Sequence, residues 1–389
     1  MNAAEVQARA ARLIVHQFDP SRVRAGGVDT CISDLIAYAP TDVVFAVIGV
    51  TSADAPLGRW TAIEHRGREL LFMPVARLPR GDRRHVPFSL RLAAGLTRWR
   101  PGIPDVTLQA HRVDVAAAVR MVRRPAGRHI QFVHNPHGRD EGVLGTSSDS
   151  FWRFAPSLYG AVERRQLAHA DRIVVFSRRE AERLQALGHA AIAWQTWFDP
   201  AVFFVEPRRT DDAEPLSLAW IGRFERQKDP LLALEVFAEL CATDPGATLT
   251  MLGGGALRGA LERGAVAGGL RGRVTLRPTG DRGQVASLMR RSHVVLLTSR
   301  YEGSPRVLVE ALASGTPVAA TPESDPDELL VNGENGVVAR SRRPSDLAAA
   351  VRLAAGAQPE RCAASVAGLS ADEAVPRLLA ATETSGASA

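Results

Sequence analysis

The sequence predicts two α/β domains, each built on a parallel sheet. The chain's 389 residues exceed what one core usually serves. Apolar residues make up 46% of it, ample material for two cores. Its apolar runs, such as His293-Val-Val-Leu-Leu-Thr298, are short, uninterrupted and β-branched, as buried parallel strands are, and they alternate with helix-forming stretches. No internal repeat or low-complexity tract interrupts the pattern.

Composition narrows the function classes. No apolar run approaches the length of a membrane span, and the opening M-N-A-A-E-V-Q-A-R-A lacks the hydrophobic stretch of a signal peptide, so a cytoplasmic protein is expected. Cys31, Cys241 and Cys362 are odd in number and widely spaced, which fits reduced thiols and neither a disulfide frame nor a metal site. The net charge of +6 is uneven: residues 1–200 carry 27 Arg, no Lys and 19 acids, a net of +8, and the remainder nets −2. An anionic partner would be welcome on the N-terminal half. Lys228 is the only lysine in the chain.

Arg12 to Phe18 reads as the first buried strand, followed by Gly26-Gly27 opening a helix through Ile36. Glycines at a strand-to-helix turn allow close backbone approach to a ligand, and the helix start offers N–H groups to an anion; a plain tight turn explains the pair nearly as well. Val43 to Val50 and Leu70 to Val75 are further strands. Between Arg77 and Arg100 seven arginines are interleaved with apolar residues, and Phe88, Leu92, Leu96 and Trp99 fall at helical spacing. That is either an ordinary surface helix packed on the sheet, the favoured reading, or a basic amphipathic helix touching anionic lipid.

Pro104 to His111 and His129 to His134 are strands that end in histidine, with His137 just beyond. A lone histidine is more often structural than functional, but three at the ends of two strands point to at least one working residue. Metal binding lacks an H-E-x-x-H or cysteine spacing to support it. Gly138 to Ser150 reads as a mobile loop. Ala155 to Ala170 is helical in pattern, Ala170 to Ser177 is a strand with a helix after it to Leu187, and W-F-D-P-A-V-F-F at 197–204 introduces a linker at 206–215. The domains expected are therefore 1–205 and 206–389, with a disordered C-terminal tail.

In the second domain the strand Leu216 to Ile221 meets Gly222, then Arg223 and Lys228, then a helix from Pro230. Two cations on such a loop can straddle a diphosphate. Thr248 to Leu252, ending in Gly253-Gly-Gly255, and Val274 to Gly280 are a strand and a strand with its loop. After the strand at 293–298 comes S-R-Y-E-G-S-P-R-V-L-V-E-A-L-A-S-G-T-P-V, in which Arg306 to Ala313 forms a helix stopped by Gly315 and Pro317. Glu302 in the loop and Glu310 in the helix can flank the crevice outside the carboxyl ends of the strands, where open α/β sheets bind ligands.

The E-x(7)-E segment with its trailing E-A-L-A-S-G-T-P-V resembles the signature of retaining GT-B glycosyltransferases, especially family 4, and the likeness runs from about residue 12 to Arg340. The resemblance implies two Rossmann-like domains facing across a cleft, and transfer of a hexose from a nucleoside diphosphate sugar with retention. It places Arg223 and Lys228 on the pyrophosphate, Glu310 on the ribose and Glu302 on the sugar hydroxyls. It also puts Gly26, Gly27, Gly222, Gly303, Ser304, Pro305 and Arg306 around the donor, and His137 on its hexose. His111 and His134 are left to the acceptor. No cofactor or metal is implied, since cationic side chains replace it. The partners implied are a nucleotide sugar, a glycan or lipid-linked acceptor and peripheral contact with anionic membrane, with no nucleic acid. Ser324 and Asp325 stand where the family usually has Gly-Gly, with Glu328 on its glutamate; Asp325-Pro-Asp327 also reads as D-x-D, here a turn. A soluble small-sugar or natural-product acceptor, a nucleotide-sugar epimerase and a non-catalytic nucleotide-sugar binder are the alternatives.

Overall fold

A computed structural model describes residues 1–22, 27–77, 87–99, 102–122, 126–134, 156–206, 215–278, 280–325 and 327–383. The chain divides into two compact units, Met1–Trp194 with Val375–Ala389, and Gln195–Ala374. The division differs from the expected one at both ends. The 197–204 segment belongs to the second unit: Phe198 and Phe203 pack with Ile221, Val295 and Leu308 in that unit's core. The last helix returns to the first unit, where Thr382 and the carbonyl of Leu379 hold the buried guanidinium of Arg12, each at 2.9 Å.

The first unit runs α1 (Ala3–Arg9), β1 (Arg12–Val15), α2 (Gly27–Tyr38), β2 (Phe45–Thr51), β3 (Thr61–His65), β4 (Arg68–Arg77) and α3 (Phe88–Trp99). It continues with β5 (Thr107–Ala110), α4 (Val113–Val122), β6 (His129–Val133), α5 (Pro156–Leu167), β7 (Arg172–Val175), α6 (Arg178–Ala186) and β8 (Ala191–Ala193). Among the described residues these strands form one eight-stranded sheet, ordered β3-β4-β2-β1-β5-β6-β7-β8. Every pairing is parallel except β3 with β4, a hairpin closed by Arg66 (φ 51) and Gly67 (φ 75), two left-handed residues whose twist suits a two-residue turn. In α3, Phe88, Leu92 and Leu96 are buried in one cluster with Val75 and Leu71, so these three apolar positions are occupied by its own domain, while Trp99 is 40% exposed.

The second unit runs β9 (Ser217–Ile221), α7 (Pro230–Cys241), β10 (Thr248–Leu252), α8 (Arg258–Ala267), β11 (Val274–Arg277), α9 (Arg282–Arg291) and β12 (Val294–Leu297). Then come α10 (Arg306–Ala313), β13 (Val318–Ala320), β14 (Gly336–Val338), α11 (Pro344–Ala354), α12 (Pro359–Ser365) and α13 (Ala371–Glu383), the last crossing back to the first unit. Its sheet is all-parallel, ordered β11-β10-β9-β12-β13-β14. Successive strand residues alternate between its two faces. Leu218 and Trp220 join Val294 and Leu296 in one apolar cluster, while Ala219 and Ile221 join Val295 and Leu297 in another. Both faces are therefore covered, which is why the strands read as unbroken apolar runs.

Both sheets are doubly wound α/β, and the strand order reverses once in each: between β1 and β5 in the first unit and between β9 and β12 in the second. Loops leaving the carboxyl ends of those strands are where such a sheet opens a crevice. Among the described residues no helix is long and apolar enough to cross a membrane. Gly26, His137, the 138–150 loop, residues 78–86 of the arginine stretch and residues 384–389 of the tail lie outside the described residues, while Thr382 and Glu383, expected in the disordered tail, end the last helix.

Candidate functional site

In the second unit the loop after β9 carries Gly222, Arg223 and Lys228, and the loop after β12 carries Glu302, so both lie at the reversal of strand order. The two loops are joined by an ion pair of Lys228 Nζ with Glu302 Oε1. Ser299 Oγ donates to the same carboxylate oxygen at 2.5 Å. The pair is partly buried, with side chains 22% and 9% exposed. Its strength depends on both ions keeping hydrogen-bonded partners, because removing either one would leave the other desolvated and uncompensated. Gly253 allows the neighbouring strand end to come close, since a Cβ there would lie 1.9 Å from Gly222 O.

The loops are fixed from behind by residues that sequence reasoning did not single out for the site. Asp229 sits at φ 44 before α7 without capping it. Its carboxylate instead accepts Arg342 Nη2 at 2.7 Å and pairs with Arg300 Nη2 at 2.9 Å. Arg342 also donates to the carbonyls of Ser299 at 2.6 Å and Thr298 at 3.0 Å. The Thr298 hydroxyl accepts Trp220 Nε1–H and lies 2.9 Å from the carbonyls of Lys228 and Asp229. Arg342 is thus a fork whose prongs hold the Glu302 loop and the Lys228 loop at once. No local signal could have found it, because only the fold brings position 342 to positions 229 and 299.

The other expected donor residues separate into smaller groups. Arg223 turns to Glu225 at 2.6 Å and Gln227 at 2.9 Å, with its side chain 44% exposed. Glu310 is buried on α10 beside Arg306, 3.5 Å away, and that guanidinium lies over the Trp197 ring. Pro305 precedes α10 as its cap residue, Gly303 is in the bend before it, and Ser304 Oγ accepts the Thr196 amide at 3.1 Å. Asp325 accepts the amides of Leu329 and Leu330, both at 2.9 Å, so this half of D-x-D is a turn-former; burial raises its pKa, outweighing the lowering by these amides.

In the first unit, Gly27 begins α2, and a Cβ there would meet nothing within 4 Å. At the end of β5, His111 stacks on Phe132 (4.6 Å between centroids) and His134 on Phe176 (5.0 Å), while the His111 and His134 rings lie nearly coplanar, 19° apart with centroids at 5.2 Å. His111 Nδ1 lies 2.9 Å from His134 Nε2, and His111 Nε2 lies 2.9 Å from Gln109 Nε2. Burial, then the neighbouring His134 and His16, hold His111 well below the usual imidazole pKa, so it is neutral. The sequence spacing pointed to no metal site at the cysteines. The structure nonetheless brings Cys31, on α2, to these histidines, one ligand atom of each residue lying within 4.8 Å of the others. Their separation along the chain concealed this. His111 and His134 lie together, and Gln109 joins them.

Residues 25–197 match the model of Glycosyltransferase Family 4, and residues 206–365 match that of Glycosyl transferases group 1. The chain belongs to the group 1 glycosyltransferases. Its fold is GT-B. Sucrose-phosphate synthase from Thermosynechococcus elongatus superposes with a TM-score of 0.74 at 18% identity, covering 96% of this chain and 98% of that one. HepE of Anabaena, determined with UDP and glucose, gives a TM-score of 0.69 at 16% identity over 97% of this chain and 100% of that one. Glycogen synthase from Mycobacterium tuberculosis is 34% identical over 143 residues, 36% of this chain and 33% of that protein, so the match spans about a third of this relative's length.

Proposed function

We propose that the protein is a retaining hexosyltransferase that takes a hexose from a nucleoside diphosphate sugar and passes it to a glycan or lipid-linked acceptor in cell-surface polysaccharide or glycolipid assembly. The observation that carries the reading is the Lys228–Glu302 pair at the strand-order reversal of a doubly wound sheet. An entering diphosphate would take Lys228 as its cation, and Glu302 would turn to the sugar hydroxyls. As the bond from C1 to the β-phosphate oxygen breaks, negative charge grows on that phosphate, and Lys228 with Arg223 would stabilise it. Glu310, beside Arg306, would hold the ribose hydroxyls.

No carboxylate is cast as nucleophile. Glu302 is engaged by Lys228 and Ser299. The reading that fits is front-face departure: the acceptor oxygen forms its bond to C1 on the face the phosphate leaves, and its proton passes to a leaving phosphate oxygen. The cations stand in for a metal, so turnover in the presence of a chelator belongs to the proposal. The acceptor would use the first unit, with His111 and His134. Contact with an anionic membrane would rest on charge, since Phe88, Leu92 and Leu96 of α3 are engaged in their own core.

The test is a panel of nucleotide sugars assayed for donor hydrolysis and transfer. Release of nucleoside diphosphate from one of them, lost in Lys228→Ala, is expected. Epimerised nucleotide sugar as the product without any acceptor would replace the reading with an epimerase.

A further inference from the structure

We propose that Gln109, braced by Arg12, sets which ring nitrogen of His134 carries the proton. Arginine only donates, so the Gln109 atom 3.3 Å from Arg12 Nη1 must be the carbonyl Oε1. The amide NH₂ therefore faces His111 Nε2 at 2.9 Å, and that nitrogen must accept. A neutral imidazole holds one proton, so in His111 it sits on Nδ1 and is donated to His134 Nε2 at 2.9 Å. His134 Nε2 is then an acceptor, and the neutral ring carries its own proton on Nδ1.

The chain of donors has a fixed origin. Arg12 is 2% exposed, Gln109 and Thr382 are fully buried, and the guanidinium is anchored by Leu379 O, Thr382 Oγ1 and, at 2.5 Å, Glu383. Gln109 cannot turn its amide over without presenting N–H to the arginine. The same direction disfavours a metal ion among Cys31, His111 and His134. An ion on His111 Nδ1 would move the proton to Nε2, against the Gln109 amide. The chain thus fixes His134 as a donor through Nδ1, and Gln109 and Arg12 are positioning residues. Its use in transfer rests on the reading of this unit as the acceptor side; the tautomer itself does not.

The test is long-range ¹H–¹⁵N correlation spectroscopy of the full chain labelled with ¹⁵N-histidine, with His111 and His134 assigned from His111→Asn and His134→Gln. Wild type should show both rings protonated on Nδ1. In Gln109→Glu the carboxylate keeps Arg12 but can only accept, so both rings should switch to the Nε2–H form. A wild-type spectrum with His134 protonated on Nε2, a Gln109→Glu spectrum in which neither ring switches, or stoichiometric Zn²⁺ binding that removes the His111 Nδ1 proton would each overturn the proposal. The wild-type spectrum decides even where the variant fails to fold. Because no nucleotide sugar is added, failure here is separate from failure to find a transferase activity.

Discussion

Between the carboxyl ends of β9 and β12 a lysine and a glutamate meet as ions, whereas between those of β5 and β6 two imidazoles meet edge to edge, 2.9 Å from nitrogen to nitrogen. The same position in two similarly wound sheets has been built with opposite electrostatics. Lys228 and Glu302 retain some exposure, and their loops are held by a fork of charged hydrogen bonds; in the proposed function an arriving anion would exchange one partner for another. His111 lies fully buried between Phe132 and His134 and resists a net charge. On the proposed reading the second unit takes the diphosphate and the first the acceptor hydroxyls. Several arginines of the N-terminal half are engaged in local pairs, among them Arg66 with Asp34, Arg112 with Asp114 and Arg183 with Glu180.

The sharpest way to break the contrast is to remove the cation. Lys228→Ala should lower turnover about 100- to 1,000-fold, the magnitude of losing one preorganised donor to a developing charge, with the fold retained at a lower melting temperature because Glu302 loses its partner. Near-normal turnover would remove the diphosphate role.

Acid should expose the neutral side. His129, 3% exposed at the start of β6, is pushed down to about 4 by burial. An unfolded histidine titrates near 6.5, so between those values the unfolded chain takes up a proton that the folded chain refuses. Stability is therefore intact above about pH 6.5 and declines as pH falls, by about 3 kcal/mol once below about 4. His111 acts in the same direction. Urea unfolding at pH 7 and pH 4.5 should show a smaller difference for His129→Gln than for wild type; equal differences would refute the assignment.

Arg342→Lys tests the fork. A lysine keeps the charge but cannot serve Asp229 and two carbonyls together, so roughly 1–2 kcal/mol of positioning should be lost, a fall in turnover of about tenfold. An unchanged kcat would show that the loops hold themselves. The smallest effect belongs to Gly27→Ala. Its Cβ enters open space at a helix start, so thermal denaturation should show no loss of stability and a gain of up to about 1 kcal/mol. Weakened ligand binding in that variant would mark Gly27 as a point of ligand approach.

Much of this architecture was legible because local chemistry and tertiary context agree. Arg306–Ala313 and Thr248–Leu252 have in the structure the limits read from the sequence, the first set by Pro305 before it and Gly315 at φ 73 after it. The β3 hairpin was not legible, because its turn is Arg66-Gly67 and not the usual Asn-Gly, and β3 alternates exposed with covered residues in a chain of buried strands. The boundary near 205 misled because Trp197 and Phe203 look like a prelude to a linker yet are fully buried in the second unit. At the site, the motif residues could be named one by one, but their partners could not. Asp229, Thr298 and Arg342 act through carbonyls and a shared carboxylate, and such contacts leave no pattern in a single sequence. Gln109 was hidden in the same way, as one polar residue within a strand.

The central claim is transfer from a nucleoside diphosphate sugar with retention at the anomeric carbon. Time-resolved ¹H NMR of the full chain with a panel of nucleotide sugars, each incubated with and without oligosaccharide and polyprenyl-phosphate-linked acceptors, tests it most directly. The account expects one donor to lose its nucleoside diphosphate while the first product formed carries the donor's own anomeric configuration. A first product of inverted configuration, or no nucleotide released from any donor, would contradict it.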